Sequence, residues 1–208
     1  MDFYLFMGMK LSSGRTVRLF VALPVSAAVK EELRCLQTEL QERLPGDWVR
    51  WTRPEQLHLT LRFLGEVEAG RVESLIEAVR GVCNRFAPLR LRAERMGVFP
   101  HARSPRVIWV SVHDERGELP LLQSAVSEAA GSFTRQEEDK GFMGHLTIGR
   151  VKNIKSGAAR VLAESVEGLR NRVFGEWTVD QVEIVQSELA SGGSRYSCVA
   201  SIPLLGTA

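Results

Sequence analysis

The tripeptide His-Leu-Thr occurs twice, in EQLHLTL at residues 55–61 and in FMGHLTI at residues 142–148, in a chain with only four histidines. On an extended strand, residues i and i+2 share a face. His58 and Thr60 therefore project together, as do His145 and Thr147, while Leu59, Leu61, Leu146 and Ile148 turn the other way toward a core. Each copy presents one imidazole and one hydroxyl on a surface held rigid from behind. Two such pairs facing each other would surround a tetrahedral anion with four donors. Imidazole, with an unperturbed pKa of about 6.5, supplies both acid and base forms near neutrality. One histidine can take a proton from water while the other gives one to a departing alkoxide, and the hydroxyls meet charge developing on the non-bridging oxygens. The spacing does not say which histidine plays which part. A lone histidine on a strand face is more often a satisfied structural residue, and threonine is a good strand former in its own right. The recurrence at matched positions is what points to a phosphoryl site.

The elements around the two motifs also repeat. VRLFVALP (17–24) predicts a buried strand, and Ser26 opens a helix carrying Val29, Leu33, Leu36, Leu40 and Leu44 on one stripe, ended by PGDW. LHLTLRFLG (57–65) is strand-like, Val72, Leu75, Ile76, Val79, Val82 and Phe86 share a second helical face, and 89–100 predicts a strand interrupted near Gly97. The order then restarts with RVIWVSVH (106–113), a helix with Leu119, Leu122, Val126, Ala129 and Phe133, and the strand GHLTIGRVK (144–152). A helix through Val161, Leu162, Val166, Leu169 and Val173 follows, then strands 177–189 and 195–204 joined by ASGGS. Arg18 precedes His58 by 40 residues and Arg106 precedes His145 by 39; the next predicted strands, at Leu89 and Trp177, follow the two histidines by 31 and 32. Two β-α-β(His-x-Thr)-α-β units in series, about 17–100 and 105–204, are expected within one domain spanning 17–208, after an N-terminal extension of residues 1–16.

A chain of 208 residues with 44% hydrophobic and 25% charged residues has the composition of a globular domain, and its net charge of +2 neither demands nor forbids a polyanionic partner. The cysteines, Cys35, Cys83 and Cys198, are odd in number and far apart, which excludes a disulfide framework and a CxxC zinc site. Neither histidine strand offers a second ligand at metal spacing, although Glu66 and Glu68 lie just beyond the first. No Gly-x-Ser-x-Gly elbow supports serine hydrolysis. The apolar run in MDFYLFMGMKLSSGR is too short to span a bilayer and its charges are ordered opposite to a secretory leader. A cytoplasmic, membrane-free, monomeric protein without metal or cofactor is expected.

The chain resembles the two-histidine phosphoesterases, more narrowly the RNA 2′,3′-cyclic phosphodiesterases long called 2′-5′ RNA ligases. The resemblance rests on RLFVALP, HLTLRFLGEV, VFP…SPRVIWVSV, FMGHLTIGRVK and IVQSELASGGSRYSCVASIPL, covering residues 17 to 204. Gly144 departs from the proline usual before the second histidine. The resemblance implies an α+β bilobal fold with pseudo-two-fold symmetry, each lobe an antiparallel sheet with helices on its outer face and one His-x-Thr strand lining a central cleft. It implies metal-independent hydrolysis of RNA 2′,3′-cyclic phosphate ends, or of nucleotide cyclic phosphates, to 2′-phosphomonoesters, with reversible 2′-5′ ligation in some members. By the family pattern His58 is the proton donor to the departing 3′ oxygen and His145 the acceptor that activates water. ADP-ribose 1″,2″-cyclic phosphate and 2′-5′ oligonucleotides are rival substrates, and a non-catalytic RNA-end binder is the rival from another class.

Further candidates surround this centre. Arg62 falls on the face of His58 and Thr60 by the period-two rule; Arg150 is out of phase with His145 unless the strand bulges, but the resemblance implies a basic residue there and keeps it, with Arg62, a substrate-binding candidate. His101, Arg103 and Arg106 form a basic loop suited to an RNA backbone. Phe99, Trp51 and Tyr196 are candidates to stack an unpaired base. His113, beside Asp114, reads as a surface residue.

Overall fold

The computed structural model describes residues 15–44, 46–136, 141–190 and 193–207. Residues 1–14, most of the expected extension, and residues 191–192 of the ASGGS turn lie outside the described residues.

The chain runs β1 (Thr16–Pro24), α1 (Ala27–Arg43), β2 (Val49–Trp51), β3 (His58–Glu68), α2 (Val72–Cys83), β4 (Leu89–Phe99), β5 (Val107–His113), α3 (Glu118–Ala130), β6 (His145–Val151), α4 (Ser156–Glu167), β7 (Val173–Val179), β8 (Gln181–Ala190) and β9 (Gly193–Pro203). Ser26 caps α1 through Val29 N–H, as its side chain predicts. The Asp114 carboxylate accepts from the N–H groups of Glu118 and Leu119 at the start of α3.

All pairings form a curled, half-barrel antiparallel sheet in the order β7-β4-β5-β6-β3-β1-β8-β9, with β2 added alongside β6. Its two halves meet where β3 touches β6, and there the ladder narrows to the single pair Leu59↔Leu146. The halves of the sheet are not the halves of the sequence. β4 leaves the first unit to pair with β5 and β7, while β8 leaves the second to pair with β1. The helices cross in the same way: α1 and α4 pack against β7 and β4, and α2 and α3 against β9 and β3. One continuous core between sheet and helices takes Leu19, Val21, Leu33, Leu36, Leu59, Leu61, Leu146 and Ile148, all nearly inaccessible.

Three boundaries differ from the expectations. The break in β4 falls at Arg95, which adopts φ 59°, two residues before Gly97. Gly97 itself stays in the ladder opposite Trp109, whose ring occupies the space of a Cβ. Val173, expected on the last helix, begins β7 because α4 ends at Gly168. The single strand expected over 177–189 divides at Asp180, where the chain passes from one half of the sheet to the other.

Candidate active site

The Leu59↔Leu146 pair centres the two motifs on each other. In an antiparallel ladder one partner's number rises as the other's falls, so this register sets His58 across from Thr147 and Thr60 across from His145, all four on the face turned from the helices. Each imidazole is fixed by the same local device. His58 Nδ1 lies 2.7 Å from the Gln56 carbonyl, and His145 Nδ1 lies 2.8 Å from the Met143 carbonyl, in each case two residues back. A carbonyl only accepts, so Nδ1 carries the proton in the neutral ring, and Nε2 keeps the lone pair. The Gln56 side chain is itself tied to the Ser194 carbonyl of β9, anchoring the turn that orients His58. Neither Thr60 nor Thr147 spends its hydroxyl on a described residue, which leaves both able to donate to a bound oxyanion.

Aromatic rings enclose the histidines, and they arrive from the exchanged strands. Tyr196 on β9 lies edge-on to His58 with centroids 5.3 Å apart, and Phe99 on β4 lies edge-on to His145, also at 5.3 Å. Phe20 packs on His58 at 4.6 Å and, with Ala22, Val185 and Tyr196, forms a small apolar cluster separate from the main core. Burial under these rings pushes the His58 pKa down to about 4, with further lowering from the charges of Arg150, Lys30 and His145, against the opposing pull of the Gln56 carbonyl.

The two arginines exchange the places that simple alternation assigns them. The ladder of β1 with β3 skips Leu61, so Arg62 turns away from His58, and its Nη2 donates to the Gln136 carbonyl at 2.7 Å. Phe63 takes its place on the site face, 55% exposed and packed on Phe20 at 5.8 Å. The ladder of β5 with β6 skips Ile148 in the same way, and this bulge brings Arg150 onto the face of His145. Other candidates stay apart. Trp51 packs toward the core over the Cα of Gly149, where a Cβ would lie 3.2 Å from its ring. His101, Arg103 and Arg106 are exposed on the loop between β4 and β5, and His113 Nε2 lies 3.7 Å from Glu94.

Sequence reasoning missed the residues that hold the bulges. Gln37, on α1, donates from Nε2 to the carbonyls of Ile148 and Thr52, both at 2.8 Å; Gln123, on α3, donates from Nε2 to the Leu61 carbonyl at 3.3 Å. Each glutamine bonds the skipped residue three positions after a histidine. Their signal is a polar residue inside an apolar helical stripe, between Leu36 and Leu40 in one case and beside Leu122 in the other. Phe20 was hidden because β1 is apolar on both faces, which marks a strand covered on both sides. Replacing Gln37, 5% exposed, by leucine takes the Gln37 donor from the Thr52 carbonyl and leaves the Ile148 carbonyl with Thr52 N–H alone. The expected loss is about 1–3 kcal/mol, read as a lowered denaturation midpoint with unchanged slope.

Gly144 has a structural reason. A Cβ there would lie 2.4 Å from the Val112 carbonyl oxygen, while the Gly144 carbonyl accepts from Val112 N–H at 2.8 Å. The bare backbone thus locks onto β5 immediately before His145. Among the described residues, no group of three or more His, Cys, Asp or Glu is placed to hold a metal ion, and no helix is long and apolar enough to cross a membrane.

A LigT-like phosphoesterase family model matches residues 23–109. The chain is 36% identical to an RNA 2′,3′-cyclic phosphodiesterase of Archaeoglobus fulgidus, over 86% of this chain and 96% of that one. It is 30% identical to the Aquifex aeolicus protein of the same name, over 92% and 100%. The chain belongs to the RNA 2′,3′-cyclic phosphodiesterase family. A crystal structure from Thermus thermophilus superposes with a TM-score of 0.77 at 26% identity, covering 92% of this chain and 100% of that one. Escherichia coli LigT, in a complex with 3′-AMP, shares the fold at a TM-score of 0.70 and 22% identity, covering 91% and 99%.

Proposed function

We propose that the protein hydrolyses RNA 2′,3′-cyclic phosphate ends to 2′-phosphomonoesters by paired-histidine acid and base catalysis. The observation that carries this reading is the mirrored pair of imidazoles on facing strands, each with Nδ1 bonded to the carbonyl two residues back, which leaves Nε2 to exchange a proton. The cyclic phosphate sits between the two motifs, its non-bridging oxygens accepting from the Thr60 and Thr147 hydroxyls. His145 Nε2 takes a proton from the attacking water as the new P–O bond forms. His58 Nε2, protonated, donates to the 3′ oxygen as the P–O3′ bond breaks, leaving the phosphate on O2′. After turnover the proton gained by His145 and the proton lost by His58 exchange with solvent.

The low pKa of His58 bears on this assignment. In the free protein burial keeps His58 neutral, so the donor is created by the substrate: the phosphate's negative charge supplies in the closed cleft the partner that water no longer provides. Phe99 and Tyr196, edge-on to the two histidines, would contact the ribose or base; their ring contacts support this. Arg150 adds positive charge on the same face.

The test is a short RNA ending in a 2′,3′-cyclic phosphate, incubated with the protein in excess EDTA, with the product end identified. The expected product is a 2′-phosphate at an undiminished rate. A 3′-phosphate product, or activity that disappears with EDTA and returns with a divalent ion, would defeat the mechanism. An inert wild type that still binds the end would instead support an RNA-end binder.

A further inference from the structure

The short strand β2 makes its ladder with β6 alone, in the register Val49↔Val151, Arg50↔Arg150 and Trp51↔Gly149. Residues directly opposite on an antiparallel pair share a face. Val49 and Val151 are buried in the core, so Arg50 and Arg150 both emerge on the other side. That side is the face of His145 and Thr147, because the bulge at Ile148 has already brought Arg150 onto it. Both arginines are exposed, and neither has an ion-pair or side-chain hydrogen-bond partner among the described residues. Lys152, two residues on, pairs with Asp47.

Like charges set directly opposite on a ladder are destabilising, yet the protein holds these two in place firmly. Gly149 lets β2 approach, since a Cβ there would lie 2.6 Å from Val49 Cγ1. Thr52 N–H donates to the Ile148 carbonyl at 3.0 Å, Lys152 N–H donates to the Trp48 carbonyl at 2.8 Å, and Gln37 clamps both Thr52 and Ile148. Two arginines at directly opposite ladder positions, with no acidic partner among the described residues, match one phosphate. The scissile phosphate has its donors already in the histidines and threonines. Arg150 is three residues beyond Thr147, roughly 10 Å at about 3.3 Å per residue, within side-chain reach of a neighbouring phosphate of the same strand. The corresponding place after the first motif is held by Phe63, not by a cation. The two motifs are alike at His and Thr and differ in charge just beyond, which gives a nearly two-fold site a direction.

We propose that Arg50, with Arg150, forms a second phosphate subsite that takes the phosphate on the 5′ side of the terminal nucleotide. The proposal rests on the phosphodiesterase reading above. Phosphate contacts of this kind fix register without reading sequence, so the subsite selects polynucleotide ends over free nucleoside cyclic phosphates.

The test compares a nucleoside 2′,3′-cyclic phosphate with the same compound carrying a 5′-phosphate, using wild type, Arg50→Gln and Arg50→Lys. In wild type the 5′-phosphate is expected to raise kcat/KM by roughly tenfold or more, the size of a charge-assisted contact, mainly through KM and less so at high salt. In Arg50→Gln the ratio of the two substrates falls to about one, and Arg50→Lys keeps part of it. A wild-type ratio near one, or an unchanged ratio in Arg50→Gln, overturns the subsite while leaving the phosphodiesterase reading intact. If wild type turns over neither compound, that reading has failed, and calorimetric binding of a nucleoside 5′-monophosphate decides the subsite. Weaker binding to Arg50→Gln than to wild type supports it, and equal binding overturns it.

Discussion

Replacing either histidine by glutamine is expected to slow hydrolysis of a cyclic-phosphate RNA end by roughly 10²–10⁴-fold, the usual size of a positioned general acid or base. The double variant is expected to be little slower than the worse single one. His58 and His145 act on opposite ends of one proton transfer across one phosphorus, and residues that work as a unit are strongly non-additive. Both rings are hydrogen-bonded only to carbonyls of their own chain segments among the described residues, so substitution removes the titrating group without breaking a ladder hydrogen bond. Single-turnover rates of the four proteins, with melting curves as a folding control, check this. Multiplicative losses in the double variant would mean that the histidines contribute independently, and an active single variant would remove that residue from the mechanism.

The second large effect is on acid behaviour. The His58 pKa is depressed to about 4, chiefly by burial, against about 6.5 in an unfolded chain. Above pH 6.5 both states are neutral at this residue and it contributes nothing to pH dependence. Between about 6.5 and 4 the unfolded chain takes up the proton first, so stability falls as the pH falls. The full penalty, reached below about pH 4, is at most roughly 3 kcal/mol at 1.36 kcal/mol per pKa unit, less whatever solvent reaches the half-buried ring. His58→Gln is expected to lose this acid sensitivity, which denaturant titrations at pH 7 and pH 4.5 would show. NMR titration of wild type is expected to find His58 protonating near pH 4 when free. With phosphate or a 2′-nucleotide bound, the same proton affinity should return to or above the ordinary value of about 6.5. A His58 that titrates near 6.5 in the free protein, or is unmoved by the anion, would contradict a donor made by its substrate.

Local rules made a good part of this site readable. The period of two alone put His58 with Thr60 and His145 with Thr147, and apolar residues between them supplied the core face; the strands and helices that carry them also appear at the expected places. Those rules failed where a bulge changed the count. Alternation assigned Arg62 to the site and left Arg150 off it, and one skipped residue in each ladder reversed both assignments. A bulge is decided by what the neighbouring strand and helix offer, here the carbonyl partners Gln37 and Gln123, more than 60 residues away along the chain.

The sequence by itself determined the chemistry available, two imidazole-hydroxyl pairs on strand faces, because side-chain direction on a strand is a local property of the backbone. Only the tertiary structure decided how the pairs meet and what surrounds them. The Leu59↔Leu146 contact sets the motifs across from each other. The exchange of β4 and β8 with their attached strands brings Phe99 to His145 and Tyr196 to His58, each from the other sequence unit. The burial that holds His58 neutral, and the cross-strand contact that sets Arg50 beside Arg150, arise between segments distant in the chain. Partner choice among strands depends on which surfaces can bury each other, and no single strand records that choice.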